Sequence, residues 1–145
     1  MEFRRAKEKD IENIYSLEKR TFHCPWTLEQ FKYEINDNEF SNTLVIYQEN
    51  KLVGYINYWI IFDQATINKI CVDQDYRKQG LGQMLINYCF DDVKKQECMV
   101  ITLEVRVSNQ QAIQLYEKNG FKKVLTKENY YTDGEDAFYM VKGVN

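Results

Sequence analysis

The fold turns on Lys69-Ile70-Cys71-Val72-Asp73-Gln74-Asp75-Tyr76-Arg77-Lys78-Gln79-Gly80-Leu81-Gly82. Its first four residues close a strand-like run over 65–72. Its last six, from Arg77 to Gly82, are polar and carry two glycines. Leu81, Leu85 and Tyr88 then begin a helical stripe that reaches about Glu97. Strand, glycine-bearing loop and helix, in that order, make a cradle for an anion. Glycine lets consecutive backbone N–H groups converge on one point. The following helix aims its positive end at the same place, and Arg77 and Lys78 add formal charge. A pyrophosphate suits such a loop. It is not a P-loop, because Gln83 follows Gly82 where Lys-Ser/Thr would be needed. It is not a dinucleotide fingerprint either, because the third glycine is replaced by Leu85.

Outward from this loop the chain alternates between two periods. Glu2–Arg5 reads as a short strand. Glu8–Arg20 reads as a helix on Ile11, Ile14, Tyr15 and Leu17, with acidic residues at its start and Lys19 and Arg20 at its end. Phe22-His23-Cys24-Pro25-Trp26-Thr27 breaks the pattern, and Thr27 can cap a second helix to about Asn36. Strand-like runs follow at 43–49 and 52–62, joined by a tight turn at Asn50-Lys51, and another lies at 100–105. Asn109–Asn119 reads as a helix that Gly120 stops. Strands at 122–130 and 137–142 close the chain. The order β-α-α-β-β-β-α-β-α-β-β predicts an α/β (α+β) sandwich around a central mixed sheet.

Bulk composition narrows the function classes. The 145 residues suit one domain, 1–145, and 44% hydrophobic and 28% charged residues are those of an ordinary soluble globular protein. A net charge of -3 lacks the basic surplus of a nucleic-acid binder. No apolar segment suggests a signal peptide or a membrane span. Cys24, Cys71, Cys89 and Cys98 show no C-x-x-C spacing and are joined by a lone histidine, His23, so no metal site is expected. The cysteines read as free thiols of a reducing cytosol.

Further motifs extend the loop into a family pattern. Leu103-Glu104-Val105-Arg106-Val107-Ser108-Asn109 is followed by Ala112-Ile113-Gln114-Leu115-Tyr116-Glu117-Lys118-Asn119-Gly120-Phe121. With Arg-x-x-Gly-x-Gly upstream, the sequence resembles the GCN5-related N-acetyltransferase (GNAT) superfamily. Cys24-Pro25-Trp26, Asn129-Tyr130-Tyr131 and Asp133-Gly134-Glu135-Asp136-Ala137 resemble its RimI-type branch, the ribosomal-protein-alanine N-acetyltransferases. The resemblance runs from Phe22 to Met140, with a shorter turn between Tyr131 and Asp133. It implies the GNAT fold, a mixed and mostly antiparallel twisted sheet with helices on both faces. It implies acetyl-CoA as co-substrate, no metal, and the N-terminal peptide of a ribosomal protein as partner, in the cytoplasm. Site by site, it implies that the backbone of Ile70, Cys71 and Val72 binds the pantetheine arm and the acetyl carbonyl. The loop Arg77, Lys78, Gln79, Gly80, Leu81, Gly82 and Gln83 would hold the pyrophosphate, and Asn109 would contact the coenzyme near its reacting end. Glu104 would be the general base and Tyr116 the general acid. Pro25, Trp26, Tyr130 and Tyr131 would border the peptide.

Physical chemistry supports part of this. Glutamate is depleted in strands, so Glu104 in an apolar strand calls for a reason. A local one is Arg106, two residues on and on the same face. An α-amine titrates near 7.7–8.0, and a lysine amine costs roughly 3–4 kcal/mol more to deprotonate at neutral pH. One carboxylate is an adequate base for the first and less suited to the second. A phenol near 10 facing a thiolate whose thiol titrates near 8.5 transfers its proton uphill by roughly 2 kcal/mol. Tyr116 is therefore expected mainly to hydrogen-bond the departing sulfur. The Val72 N–H is the candidate donor to the acetyl oxygen if its strand splays. Tyr130 and Tyr131, if in a strand, would point to opposite faces. The alternatives are acetylation of lysine or a small amine on the same fold, and a non-catalytic acyl-CoA-binding module.

Overall fold

The computed structural model describes residues 1–144. Its centre is a seven-stranded sheet. The strands are β1 (Glu2–Arg5), β2 (Ser41–Gln48), β3 (Lys51–Ile61), β4 (Gln64–Val72), β5 (Val100–Arg106), β6 (Lys122–Lys127) and β7 (Ala137–Gly143). They lie in the order β1-β2-β3-β4-β5-β7-β6. Every pairing is antiparallel except β4 with β5. The helices are α1 (Ile11–Thr21), α2 (Leu28–Lys32), α3 (Leu81–Lys95) and α4 (Gln110–Lys118).

Two apolar clusters hold the helices to opposite faces. Ile11, Ile14 and Leu17 of α1 and Phe31 of α2 pack with Val45, Tyr55 and Cys71. Leu85, Ile86, Cys89 and Val93 of α3 join Ile113 and Tyr116 of α4 over Ile56, Ile67 and Leu103. A bulge where Val53 is skipped in the β2–β3 register changes which face the next residues of β3 meet.

The caps explain the boundaries. Thr27 accepts from the Gln30 N–H at 3.1 Å, and the Gln30 side chain accepts from the Thr27 N–H at 2.7 Å, a reciprocal capping box at the start of α2. After Lys32 the expected helix continues as a wider π turn over Tyr33–Asp37, closed by Asn38 N–H to the Tyr33 carbonyl. Gly120, at φ 95°, ends α4 as its sequence position predicts.

One strand ends earlier than expected. The run at 122–130 leaves the sheet at Lys127, because Asn129 adopts φ 51° and its N–H is taken by the Asp136 carboxylate. Tyr130 and Tyr131 therefore stand in a turn, and the strict alternation expected of a strand does not apply to them.

The pairing of β4 with β5 matters most. It covers only Gln64–Ile67 against Val100–Leu103. Beyond Ile67 the two strands part, while β4 continues to pair with β3 up to Val72. The wedge that opens between them carries the site.

Candidate active site

Two clefts meet at the parting of β4 and β5. The first, of about 350 Å³, runs between the loop before α3 and the start of α4. The second, of about 310 Å³, lies on the other side, between β5, the Phe22–Trp26 loop and the Tyr130–Tyr131 turn. Phe22, Ile70, Asn109 and Ala112 line both. A molecule seated in either would touch one seated in the other at these residues.

The first cleft is built from backbone and positive charge. Asp73 N–H donates to the Val53 carbonyl at 2.8 Å. Alternation along the strand turns the Val72 N–H the other way, into the wedge where β5 has left. The Val72 carbonyl faces that side too, and Arg77 Nε reaches it at 3.3 Å. The expected splay is present, and it frees a backbone donor in mid-sheet. Lys78 and Gly80 both have positive φ, 64° and 79°, and α3 begins at the next residue. The strain-free left-handed turn at Gly80 lets the helix N-terminus face the cleft. Gly82 faces Leu115 of α4, which a Cβ there would touch at 3.4 Å. This cradle fits the pyrophosphate of a coenzyme.

Of the residues expected here, Ile70, Cys71, Val72, Arg77, Lys78, Gly80, Leu81, Gly82, Gln83 and Asn109 line the first cleft. Gln79 does not line it. The Asn109 carboxamide caps α4, accepting from the Ala112 N–H at 3.2 Å. The Gln83 carboxamide is tied to Asn119 by two reciprocal hydrogen bonds of 2.7 and 3.0 Å. Any ligand contact by Gln83 therefore falls to its backbone or costs this clasp. Tyr76, Gln111 and Leu115 also line the cleft, and only knowledge of the packing of α4 on α3 would have found the last two. Burial pushes the Cys71 thiol up to about 11, so it stays protonated at neutral pH.

The second cleft holds the ionisable chemistry. Glu104, Tyr116, Trp26, Tyr130 and Tyr131 line it, and Pro25 does not. Glu104 is partly buried, and its Oε2 accepts from Lys127 Nζ at 2.9 Å. The local partner expected from sequence, Arg106, is engaged elsewhere. Its guanidinium donates to Asp133 at 2.9 and 3.1 Å and to Glu135 at 2.8 Å, and it stacks on the Tyr131 ring at 4.0 Å. The reason is geometric. The β6–β7 turn brings the two carboxylates of Asp133 and Glu135 to Arg106, and they take its guanidinium in place of the one carboxylate two residues back. Both tyrosines face the cleft, with their rings edge to face at 5.0 Å.

Tyr116 is 5% exposed and packs edge-on against Phe121 at 5.6 Å. Burial raises its phenol well above the ordinary value. Among the described residues no buried side-chain polar atom is left without a partner, so its hydroxyl keeps contact with the cleft it lines.

The floor of the second cleft rests on a group that the sequence reading passed over. Glu18 is fully buried at the end of α1. Its carboxylate accepts from Tyr55 Oη, from the Trp26 N–H at 2.9 Å, and from Lys69 Nζ at 2.9 Å. Lys69 lies over the rings of Phe22 and Trp26, at 4.3 and 5.3 Å. A signal was present: Glu18 follows Ile11 and Ile14 by seven and four residues, on the apolar stripe of its helix.

His23, Cys24 and Asp133 have potential ligand atoms within 4.8 Å of one another. Both oxygens of Asp133 are already held by the Arg106 guanidinium, which fills the place of a cation.

Residues 11–121 match the acetyltransferase (GNAT) family. The [ribosomal protein bS18]-alanine N-acetyltransferase of Escherichia coli (strain K12) is 37% identical over 134 residues, covering 90% of this chain and 89% of that protein. The crystal structure of the ribosomal-protein-S18-alanine N-acetyltransferase from Escherichia coli superposes with a TM-score of 0.89 at 33% identity, covering 99% and 94%. Arabidopsis thaliana Naa50 in complex with the bisubstrate analogue CoA-Ac-MVNAL superposes with a TM-score of 0.82 at 26% identity, covering 97% of each chain. With its strand, loop and helix matched across most of its length, this chain belongs to the GNAT acetyltransferase family.

Proposed function

We propose that the chain is an acetyl-CoA-dependent Nα-acetyltransferase that modifies the N-terminal alanine of a small-subunit ribosomal protein, acting as one domain over 1–145 in the cytoplasm. One observation carries this reading. Two clefts meet at a splayed strand pair, one suited to a coenzyme and the other holding an ionisable carboxylate. The relatives named for bS18-alanine acetylation supply the substrate class.

In this reading the peptide amine enters the second cleft and reaches the acetyl group across Ile70 and Asn109. Glu104 takes a proton from the amine, directly or through water. The Val72 N–H donates to the carbonyl oxygen as it gains negative charge, the role of a preorganised oxyanion donor. The C–N bond forms, the C–S bond breaks, and the Tyr116 hydroxyl hydrogen-bonds the departing sulfur. Trp26, Tyr130 and Tyr131 border the peptide. Pro25 acts only through the loop it shares with Trp26.

The raised Tyr116 phenol makes full proton transfer harder still and favours the hydrogen-bonding role. A hydrogen bond to a charged atom is worth about 2 kcal/mol. Tyr116→Phe is therefore expected to lower kcat roughly thirtyfold with little change in acetyl-CoA affinity. Steady-state thiol release and coenzyme titration check both halves. An unchanged kcat would remove Tyr116 from the reaction.

Covalent transfer through Cys71 is disfavoured by its protonated, buried thiol. Cys71→Ala is expected to retain turnover and to leave no acetyl-enzyme by intact-mass spectrometry; loss of all activity would restore a covalent route.

The test of the function uses two peptides that begin like a ribosomal protein starting with alanine. One has a free N-terminus, and the other is blocked there but keeps its lysines. Fragmentation mass spectrometry is expected to find acetyl only on the free α-amine. Acetyl-lysine in both peptides would move the assignment to lysine acetylation.

A further inference from the structure

The carboxylate of Glu104 is not symmetric. Its Oε2 is held by Lys127 Nζ at 2.9 Å, a short charge-assisted contact. Its Oε1 has only the Tyr130 hydroxyl nearby, at 3.4 Å, which is long for an O–H···O hydrogen bond. Lys127 is itself held in place. Its ammonium lies over the Tyr139 ring at 4.7 Å and the Tyr130 ring at 5.4 Å, and Tyr139 is the cross-strand neighbour of Glu104. One oxygen of the carboxylate is thus committed, and the other opens on the cleft.

We infer that Lys127 is a positioning residue, which fixes the Glu104 carboxylate through Oε2 so that Oε1 alone accepts the proton of the incoming amine. The inference rests on the reading of Glu104 as the base. The proton leaves the ammonium or a bridging water and arrives on Oε1, and the amine lone pair then forms the C–N bond. Lys127 transfers nothing. Its contact keeps the rotamer fixed.

The surroundings leave this part to Lys127. Arg106, on the same strand, is spent on Asp133 and Glu135. Lys69, across the cleft on β4, is spent on Glu18. Tyr116 of α4 and Tyr131 of the turn are phenols pushed up by burial, and neutral at working pH. Burial likewise raises the Tyr130 phenol, which is uncharged. The hydrogen bond to Glu104 in turn holds the Lys127 ammonium above its usual range.

The experiment compares Lys127→Met, Lys127→Arg and Glu104→Gln in the full chain. Steady-state kinetics resolve kcat from the peptide KM, and coenzyme titration gives the acetyl-CoA affinity. In Lys127→Met, kcat at saturating peptide is expected to fall roughly tenfold from lost alignment, with the peptide KM little changed. Acetyl-CoA affinity is expected to hold, and Lys127→Arg to recover most of kcat. Lys127 is partly exposed on the outermost strand, so these variants are expected to fold; thermal melts check this, and Lys127→Gln serves as a second removal of the charge. A kcat that stays level or rises would overturn the inference, and so would a loss that Lys127→Arg does not repair or that falls on the peptide KM alone. Full activity in Glu104→Gln would instead sink the reading of Glu104 as the base, a result distinguishable from these.

Discussion

Glu104→Gln is expected to lower kcat by about a thousandfold at pH 7 while leaving acetyl-CoA affinity and the fold in place. General-base contributions run from about 10² to 10⁴, and here a single carboxylate carries the whole task. The amide is the same size and still offers an oxygen to Lys127, so the local packing survives. The lost ion pair is partly exposed and contributes little to stability, on the order of 1 kcal/mol or less. What glutamine cannot do is accept a proton. The substrate ammonium, near 7.7–8.0, must then lose its proton to solvent. The deficit is therefore expected to shrink as the pH is raised through that range, because more of the amine arrives neutral. Rates for both proteins at pH 7 and pH 9, with a saturating alanine-initiated peptide, measure this. A constant ratio would mean that Glu104 acts otherwise than as a base.

Lys69→Met is expected to destabilise the protein by about 3 kcal/mol and to lower its Tm by roughly 10 °C. Glu18 is fully buried, and Lys69 is the cation that balances it. Methionine fills the stem of the lysine but leaves a buried carboxylate with only the Tyr55 hydroxyl and the Trp26 N–H. Removing one partner of such a pair costs far more than the pair is worth, because the remaining charge is stranded. The loss has a functional side. Lys69 also lies over Phe22 and Trp26, which line the second cleft, so the peptide KM is expected to rise while acetyl-CoA affinity changes little. Adding Glu18→Gln removes the stranded charge and is expected to restore part of the Tm without restoring the peptide KM. Calorimetry of the two variants separates these effects; a double variant no more stable than the single one would refute the stranded-charge account.

The element order and the loop between β4 and α3 were legible from the sequence because each rests on local signals. These are a period of two or of 3.6, glycines at turns, and the Thr27 cap at the start of α2. Glu104 was legible because a carboxylate in an apolar strand conflicts with its surroundings. Its partner was not, since Lys127 comes from β6, with β7 paired between it and β5. Neighbours that the sheet order creates leave no mark on nearby residues. The choice of Arg106 failed for that reason. The same limit hid Lys69, whose buried partner comes from α1. Glu18 itself could have been found, for it breaks an apolar helical stripe much as Glu104 breaks a strand. The strand expected at 122–130 reaches Tyr130 because its side chain favours one. The outcome was decided by Asn129, whose left-handed backbone and hydrogen bond to Asp136 turn the chain first.

The sheet is one in its hydrogen bonding but two in its mechanics. Four residues on each side, Gln64–Ile67 and Val100–Leu103, stitch β1–β4 to β5, β7 and β6. On the helical side, the reciprocal carboxamides of Gln83 and Asn119 tie α3 to the end of α4. The aperture between the half-sheets is thus set by a short seam, by this clasp, and by the Arg77–Gln111 and His23–Asp133 contacts that also span it. The width available to a thioester is a dimension of the scaffold, fixed before any ligand arrives. Loops at the rim can change which amine is admitted while that gauge stays constant.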